Sequence, residues 1–236
     1  MTALTGISHV VIDIEGTTSS TWFVYEHLYP YSRERFAEYV ARRDSDDDVA
    51  RAVGQVAELL GRQGLTDEEV VTALNAWLDE DRKVTPLKTI QGLIWDDGFA
   101  RGQLTSHFYP DVIPAIRSWH AAGIRIAVFS SGSLKAQSAW FGHSPEGDLR
   151  PLLAAAFDTE SAGPKRSAAS YATIAASLDA SPSSLLFLSD LDDELDAATH
   201  AGWHAVGVSR PGEQHHERGV GDHALIGTFD ELELSP

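Results

Sequence analysis

Four short, largely apolar segments, each followed by polar residues, are the feature of the sequence that most constrains its fold. They span residues 9–13, 124–129, 185–188 and 205–208. Short segments without polar alternation are typical of strands buried on both faces, as in a parallel sheet. Helical patterns separate them, including residues 114–122, closed by Gly123, and residues 167–178. This alternation predicts an α/β domain with a doubly wound, Rossmann-like parallel sheet.

Between residues 28 and 102 the pattern becomes purely helical. Apolar residues recur there at three- and four-residue spacing, as in Val49, Val53 and Val56. Gly61 and Pro86 interrupt the pattern where helices would end or begin. We expect a helical domain, residues 19–106, inserted into an α/β domain that comprises residues 1–18 and 107–236.

Composition excludes several classes of protein. The 236 residues include no cysteine, which rules out disulfides, thiolate nucleophiles and cysteine-based zinc sites. The formal net charge of -17, with only 18 lysine and arginine residues, opposes binding to nucleic acid. No apolar run approaches the roughly 20 residues of a membrane-spanning helix, and no secretory signal is visible. We therefore expect a cytoplasmic protein that binds neither nucleic acid nor a membrane.

Asp13 and Glu15 form a pair of acids where the first predicted strand ends, in the sequence Asp-Ile-Glu-Gly-Thr-Thr. A carboxylate can attack phosphorus and form an aspartyl-phosphate when a cation offsets the negative charges. Magnesium suits this task, because it binds one or two carboxylates together with water and phosphate oxygens. Asp13 is the candidate nucleophile, and Glu15 can supply a main-chain carbonyl to the metal, a side-chain acid or base, or both. In the alternative interpretation, the two acids only cap a following helix.

Two serines and a lysine follow further along the chain. Ser130 and Ser131 come directly after the second predicted strand, where hydroxyl and main-chain N–H groups can bind phosphate oxygens. A turn or a helix N-cap is the alternative for one of them. Lys165 precedes a predicted helix and is the candidate cation for the phosphate, although an isolated loop lysine is more often simply solvated.

Asp190 follows the third predicted strand, and either Glu194 or Asp193, shortly after it, can complete an acidic pocket for a metal. Ligands of open α/β sheets lie beyond the carboxyl ends of the strands, so Asp190 can bind a metal together with the acids of the first strand. Without a cation, carboxylates this close together would raise one another's pKa. Most of the remaining acids here, such as Asp192, are better explained as the first turn of a helix, where the helix dipole favours negative charge.

These motifs, in this order, resemble the haloacid dehalogenase (HAD) superfamily of phosphohydrolases. Within it, several segments look like the acireductone synthase family, the enolase-phosphatases of methionine salvage. The segments are 13–18 (Asp-Ile-Glu-Gly-Thr-Thr), 109–112 (Tyr-Pro-Asp-Val), 130–133 (Ser-Ser-Gly-Ser), 141–144 (Phe-Gly-His-Ser), 165–166 (Lys-Arg) and 187–190 (Phe-Leu-Ser-Asp). Most superfamily phosphatases have aspartate where Glu15 stands, so Glu15 itself favours this family.

The resemblance implies a reaction, a cofactor and a set of roles. The reaction is enolisation and then dephosphorylation of 2,3-diketo-5-methylthiopentyl-1-phosphate to the acireductone 1,2-dihydroxy-3-keto-5-methylthiopentene. One Mg²⁺ per subunit is implied, in a monomer that acts on a small phosphorylated substrate, with the helical insertion as the family's cap. Carried over by position, the roles are nucleophile and metal ligand for Asp13, metal ligand and acid or base for Glu15, substrate binding for Ser130 and Ser131, phosphate binding for Lys165, and metal ligand for Asp190.

Other functions remain open at this point. Another phosphatase of the same superfamily would hydrolyse a small sugar or glycolate phosphate without enolisation. A receiver-type signalling module would accept phosphate on Asp13 and pass on a conformational signal, but such a module needs no insertion of this size. A catalytically inactive binding protein is disfavoured, because the candidate nucleophile, cation and metal ligand are all present.

Overall fold

The computed structural model describes residues 1–236 and divides the chain into two compact units. One unit, here called the α/β unit, comprises Met1–Trp22 and Thr105–Pro236. The other, here called the helical unit, comprises Phe23–Leu104.

Eight strands lie in the α/β unit. They are β1 (Thr2–Thr5), β2 (His9–Ile12), β3 (Arg125–Phe129), β4 (Leu153–Phe157), β5 (Leu185–Ser189), β6 (His204–Val208), β7 (Ala224–Ile226) and β8 (Leu232–Ser235). Six of them form one sheet in the order β4-β3-β2-β5-β6-β7, and every neighbouring pair is parallel. β1 and β8, from opposite ends of the chain, form a separate two-stranded parallel sheet. The predicted α/β fold with a parallel sheet is confirmed.

Ten α-helices accompany the strands. They are α1 (Thr21–Phe23), α2 (Tyr29–Arg33), α3 (Phe36–Val40), α4 (Asp47–Leu60), α5 (Asp67–Asp79), α6 (Thr85–Ala100), α7 (Val112–Ala121), α8 (Leu134–Gly142), α9 (Ala168–Ser177) and α10 (Asp192–His200). A π-helix spans Val24–Leu28, and short 3-10 helices span Arg150–Leu152, Pro182–Ser184 and Phe229–Glu231. The last four α-helices alternate with β3 to β6, as the sequence pattern predicts. None of the helices has the length and apolar character that crossing a membrane requires.

The central strands of the large sheet position the residues that follow them. Every residue of β2 and β5 is buried, because neighbouring strands and helices cover both strands on all sides. Ile12 pairs in register with Val128 of β3 and with Leu188 of β5, so the three strands end almost level. The side chains that come directly after these strands therefore meet at one edge of the sheet.

The helical unit follows from its own capping residues and apolar faces. Asp46 caps α4 by accepting hydrogen bonds from the N–H groups of Asp48 (3.0 Å) and Val49 (3.2 Å). A capping box between Thr66 and Glu69 begins α5. The acidic run at residues 44–48 thus includes the start of a helix. Apolar side chains of α3 to α6 form the core of this unit.

Candidate active site

Asp13 comes directly after β2 and is the centre of the candidate site. It is only 4% exposed, and its main-chain N–H donates to the carbonyl oxygen of Leu188 (3.0 Å), which continues the sheet pairing. Lys165 Nζ lies 2.6 Å from Asp13 Oδ1. The hydroxyl of Thr17 donates to Asp13 Oδ2 over 3.5 Å, at the limit of a hydrogen bond. Lys165 therefore neutralises one oxygen of Asp13 and leaves the other only weakly bonded.

Glu194 is the second carboxylate that contacts Lys165. Its Oε2 lies 2.7 Å from Lys165 Nζ and accepts a hydrogen bond from the hydroxyl of Ser189 at 2.8 Å. The sequence left Asp193 and Glu194 as alternatives, and the structure buries Glu194 and exposes Asp193, which contacts Arg166 at 3.4 Å. Successive residues of a helix point in different directions, so only one of the two can face the sheet.

The charges around Asp13 do not balance. Burial alone would lower the pKa of Lys165, but the carboxylates of Asp13 and Glu194 raise it, so the ammonium stays charged. Burial raises the pKa of Asp13, and Lys165 opposes that shift. Burial, followed by the charge of Asp13, also raises the pKa of Asp190. One buried ammonium thus stands against three buried carboxylates, an excess of negative charge that a bound cation would relieve.

Asp190 lies against the loop that follows Asp13. Gly16 in that loop has φ +76°, and a Cβ atom added there would clash with the Asp190 carboxylate. Glycine is therefore required for its left-handed backbone and for the close approach of Asp190. The loop is closed by bonds from the N–H of Gly16 to the Ser19 carbonyl (2.8 Å) and from the Thr18 hydroxyl to the Asp13 carbonyl (2.9 Å). The loops after β2 and β5 are thus packed together, as their order in the sheet predicts.

Glu15 differs from Asp13 in its surroundings. Its side chain is exposed, whereas those of the neighbouring Ile14 and Asp13 are buried. Its main chain forms an isolated bridge with Ser19 that belongs to the same loop. The side chain of Glu15 is therefore open to solvent, while its main chain is held within the loop.

Ser130 and Ser131 follow β3, the neighbour of β2 on its other side. Ser130 is 4% exposed, and its hydroxyl oxygen accepts a hydrogen bond from the N–H of Gly132 at 3.2 Å. Ser131 is exposed. The N-cap of α8 is Ser133, whose hydroxyl oxygen accepts from the N–H of Ala136 at 3.2 Å. Ser130 therefore supports the turn, and neither Ser130 nor Ser131 caps the helix.

The predicted metal ligands suit an ion that needs few protein side chains. They comprise the carboxylates of Asp13 and Asp190 and one main-chain carbonyl, that of Glu15; no three His, Cys, Asp or Glu residues form a metal-binding group. Magnesium commonly binds one or two carboxylates and fills its remaining positions with water and phosphate oxygens. The excess of buried carboxylate also fits such an ion, and Gly16 lets the loop that carries Asp13 approach the Asp190 carboxylate closely.

Arg210, directly beyond Ser209 at the end of β6, is a buried cation that the sequence analysis missed. It is 3% exposed, and its Nη1 lies 2.9 Å from Asp111, whose carboxylate also accepts from the N–H of Phe229 at 2.7 Å. Its Nε donates to the carbonyl oxygen of Thr17 at 2.9 Å, so it reaches the loop of Asp13. No local motif marks Arg210, because its partners lie far away in the chain. Of this pair, only Asp111 belongs to a sequence motif, the segment at residues 109–112 that resembles the acireductone synthase family.

Known proteins resemble this chain over almost its whole length. A family model for haloacid dehalogenase-like hydrolases matches residues 7–202. Enolase-phosphatase E1 of Streptomyces avermitilis is 58% identical over 235 residues, which cover 100% of this chain and 98% of that relative. Enolase-phosphatase E1 of Saccharopolyspora erythraea is 48% identical over 236 residues, which cover 99% and 98% of the two chains.

Solved structures agree with these relatives. The UTR4 protein of Saccharomyces cerevisiae has a TM-score of 0.81 at 31% identity, over 96% of this chain and 100% of that chain. CbbY of Rhodobacter sphaeroides, at 21% identity and a TM-score of 0.60 over 97% of both chains, shares the fold. The resemblance predicted from the sequence motifs is confirmed. The chain belongs to the haloacid dehalogenase-like hydrolases and, within them, to the enolase-phosphatase E1 family.

Proposed function

We propose that the protein converts 2,3-diketo-5-methylthiopentyl-1-phosphate to the acireductone 1,2-dihydroxy-3-keto-5-methylthiopentene and phosphate, through an aspartyl-phosphate on Asp13. The observation that carries this proposal is the buried Asp13 carboxylate beside Lys165, in a chain 58% identical to an enolase-phosphatase E1. Membership of a hydrolase family disfavours the receiver-type module considered from the sequence.

In the proposed phosphoryl transfer, a carboxylate oxygen of Asp13 attacks phosphorus, and the bond between phosphorus and the substrate oxygen breaks. The leaving oxygen takes up a proton, and Glu15, whose side chain is exposed next to Asp13, is the candidate donor. Water then attacks the phosphorus of the aspartyl-phosphate while Glu15 accepts its proton. Inorganic phosphate leaves, and the Asp13 carboxylate is regenerated.

Three other side chains support this transfer in the proposal. Lys165, held by Glu194 as well as by Asp13, offsets the negative charge of the attacking carboxylate and of the phosphate. The hydroxyl of Ser130 and the hydroxyl and N–H of Ser131 bind non-bridging oxygens of the phosphoryl group. Because Lys165 and Glu194 are both nearly fully buried, they exclude water from one side of Asp13.

Magnesium completes the proposal, with one ion per chain held by the carboxylates of Asp13 and Asp190 and the main-chain carbonyl of Glu15. When bound there, Mg²⁺ polarises the phosphoryl and carbonyl oxygens of the substrate, which assists both phosphate transfer and enolisation. The chain's own charges require such help: its net charge is -17, and Lys165 alone faces three buried carboxylates.

Release of phosphate and formation of the enol, followed together, test the proposal. The diketo phosphate is incubated with native protein in Mg²⁺ or in a chelator, with a phosphate assay and ultraviolet detection of the enol. We expect both signals only with Mg²⁺. Asp13→Asn keeps the shape of the side chain but removes the nucleophile, so phosphate release falls by at least about 1,000-fold.

Asp193→Asn is the matched control, because it makes the same chemical change at an exposed residue whose ion-pair partner is Arg166. It should release phosphate at the native rate. If the native protein hydrolyses simple esters such as glycolate phosphate but leaves the diketo phosphate unchanged, the substrate assignment is wrong. The other phosphatase considered from the sequence then replaces it.

A further inference from the structure

Arg210 sits in a cage of polar and aromatic groups inside the α/β unit. Its Nη1 contacts Asp111 (2.9 Å) and the carbonyl oxygen of Gly227 (3.0 Å). The guanidinium carbon lies 4.5 Å from the ring centre of Tyr109 and 5.1 Å from that of Phe229. These contacts hold the planar guanidinium in one orientation, from which Nε points to the carbonyl oxygen of Thr17 (2.9 Å).

Thr17 connects this cage to the reacting carboxylate. It is fully buried, and its hydroxyl donates to Asp13 Oδ2, the oxygen that Lys165 does not contact. The carbonyls of Asp13, Ile14 and Ser19 in the same loop accept hydrogen bonds from within the loop, and that of Thr18 accepts from the N–H of Tyr109 at 3.0 Å. The Thr17 carbonyl instead accepts from Arg210, a residue 193 positions later. Arg210 is therefore an external support of the residue that contacts Asp13.

Stability alone does not account for this arginine. Removing a guanidinium and a carboxylate from water carries a desolvation cost, and apolar residues of similar volume are often at least as stable in such places. In addition, Nη2 of Arg210 is buried without a hydrogen-bond partner, which adds to that cost. What an apolar residue cannot supply is the directed N–H bond to the Thr17 carbonyl.

We infer that Arg210 is a positioning residue for phosphoryl transfer, which orients the Thr17 hydroxyl and through it Oδ2 of Asp13. This inference rests on the proposed function, because it assumes that Asp13 is the nucleophile. Small displacements of a reacting group lower the rate of the chemical step more than they weaken substrate binding. Loss of the bond to Thr17 should therefore appear in kcat rather than in KM.

Arg210→Lys is the first test. Lysine keeps a positive charge for Asp111, but it lacks the planar guanidinium whose separate N–H groups donate to Asp111 and to the Thr17 carbonyl at the same time. We expect kcat with the diketo phosphate to fall roughly 10- to 100-fold while KM changes less than about threefold. Arg117→Lys is the control, since Arg117 forms an exposed pair with Glu146 (2.9 Å), and it should keep the native kcat. A native kcat in Arg210→Lys overturns the inference.

Chemical rescue separates positioning from a general loss of stability. Arg210→Ala is assayed with guanidinium chloride, at a concentration that leaves the native protein folded, and with equal methylammonium chloride. We expect guanidinium to raise kcat at least about tenfold and methylammonium to have little effect, because only the planar guanidinium ion can donate to Asp111 and to the Thr17 carbonyl at the same time. Equal effects of the two salts on folded Arg210→Ala contradict the inference. If Arg210→Ala does not fold, Arg210→Lys remains decisive.

The two proposals fail in different ways. If the native protein hydrolyses p-nitrophenyl phosphate but not the diketo phosphate, the substrate assignment is wrong. The kcat values of the Arg210 variants are then compared with p-nitrophenyl phosphate as substrate. If the native protein is active on the diketo phosphate and Arg210→Lys has the same kcat, only the positioning role of Arg210 is wrong.

Discussion

The two units of the molecule use charge differently. The ion pairs of the helical unit lie at the surface: the side chains of Arg33 and Asp79 are 44% and 64% exposed, and those of Arg62 and Glu69 are 58% and 37% exposed. The α/β unit has surface pairs too, but it adds buried ones. These are Lys165 with Asp13, Lys165 with Glu194, and Arg210 with Asp111, in which no side chain is more than 8% exposed.

This difference separates surface charges, which water screens, from buried charges, whose proposed role is chemical. An exposed ion pair contributes about 0–1 kcal/mol, because water screens it and two side chains lose entropy. A buried pair carries a desolvation cost that its attraction only partly offsets. The α/β unit bears that cost in the pairs of Lys165 with Asp13 and Glu194 and in the pair of Arg210 with Asp111, whereas the ion pairs within the helical unit are at least partly exposed. Breaking a buried pair of the α/β unit should therefore lower both activity and stability, whereas breaking a surface pair of the helical unit should change neither by much.

Lys165→Met should have the largest effect. It leaves Asp13 and Glu194 buried without their cation, which costs about 3–5 kcal/mol of stability, and it removes the charge that supports attack on phosphorus. We expect phosphate release to fall at least about 1,000-fold. Thermal unfolding and phosphate release, measured on the same preparation, check both effects.

A second substitution separates the two effects of Lys165→Met. Adding Glu194→Gln removes one of the two unpaired carboxylates, so the unfolding temperature should partly recover. Activity should not recover, because no cation is restored. A double variant that regains phosphate release along with stability would show that Lys165 has only a structural role.

Removal of Mg²⁺ should give the next largest effect. An ion present at about 100 times its dissociation constant adds roughly 2.7 kcal/mol of stability, and the native protein should unfold several degrees higher in Mg²⁺ than in chelator. Asp190→Asn should lose most of that shift. Because burial raises the pKa of Asp190, its ionised form destabilises the metal-free fold, and metal-free Asp190→Asn should unfold above metal-free native protein. Calorimetry of the four samples tests both statements.

Glu194→Gln alone should have a moderate effect. The amide keeps the length of the side chain and an acceptor for the Ser189 hydroxyl, but it loses the charge that pairs with Lys165. We expect kcat to fall about tenfold, less than in Lys165→Met. Steady-state kinetics of the two variants check the order, and an equal or larger loss in Glu194→Gln would reverse the roles assigned to them.

Breaking a surface pair of the helical unit should have the smallest effect. Arg62→Ala removes the partner of Glu69 but leaves the capping box between Thr66 and Glu69, so stability should change by no more than about 0.5 kcal/mol. Phosphate release should stay at the native rate. A loss of activity here, measured beside Glu194→Gln, would remove the contrast between the two units.

Sequence patterns predicted those parts of the fold and the candidate site that depend on residues close together in the chain. Apolar runs located β2, β3 and β5, and the polar residues after them were placed at one sheet edge because parallel strands end together. β1 and β8 were missed, since each has only four residues of mixed burial and pairs with a strand from the other end of the chain. The metal and the catalytic roles stay predictions.

The sequence also did not reveal contacts between residues that are far apart in the chain. Arg210 pairs with Asp111 across 99 positions, and nothing in either local sequence requires that partner. The choice between Asp193 and Glu194 depended on the phase of α10, which a shift of one residue in its start would reverse. Glu15 matched its motif, but its exposure beside the buried Asp13 follows from the shape of the loop.

Covalent trapping at Asp13 tests the central claim most directly. Native protein is mixed with the diketo phosphate and Mg²⁺, quenched rapidly in acid, and reduced with borohydride, which converts an aspartyl-phosphate to homoserine. We expect homoserine at position 13 by peptide mass spectrometry, and none in Asp13→Asn. Phosphate release during the same first turnover with the Asp13 peptide unmodified would contradict it.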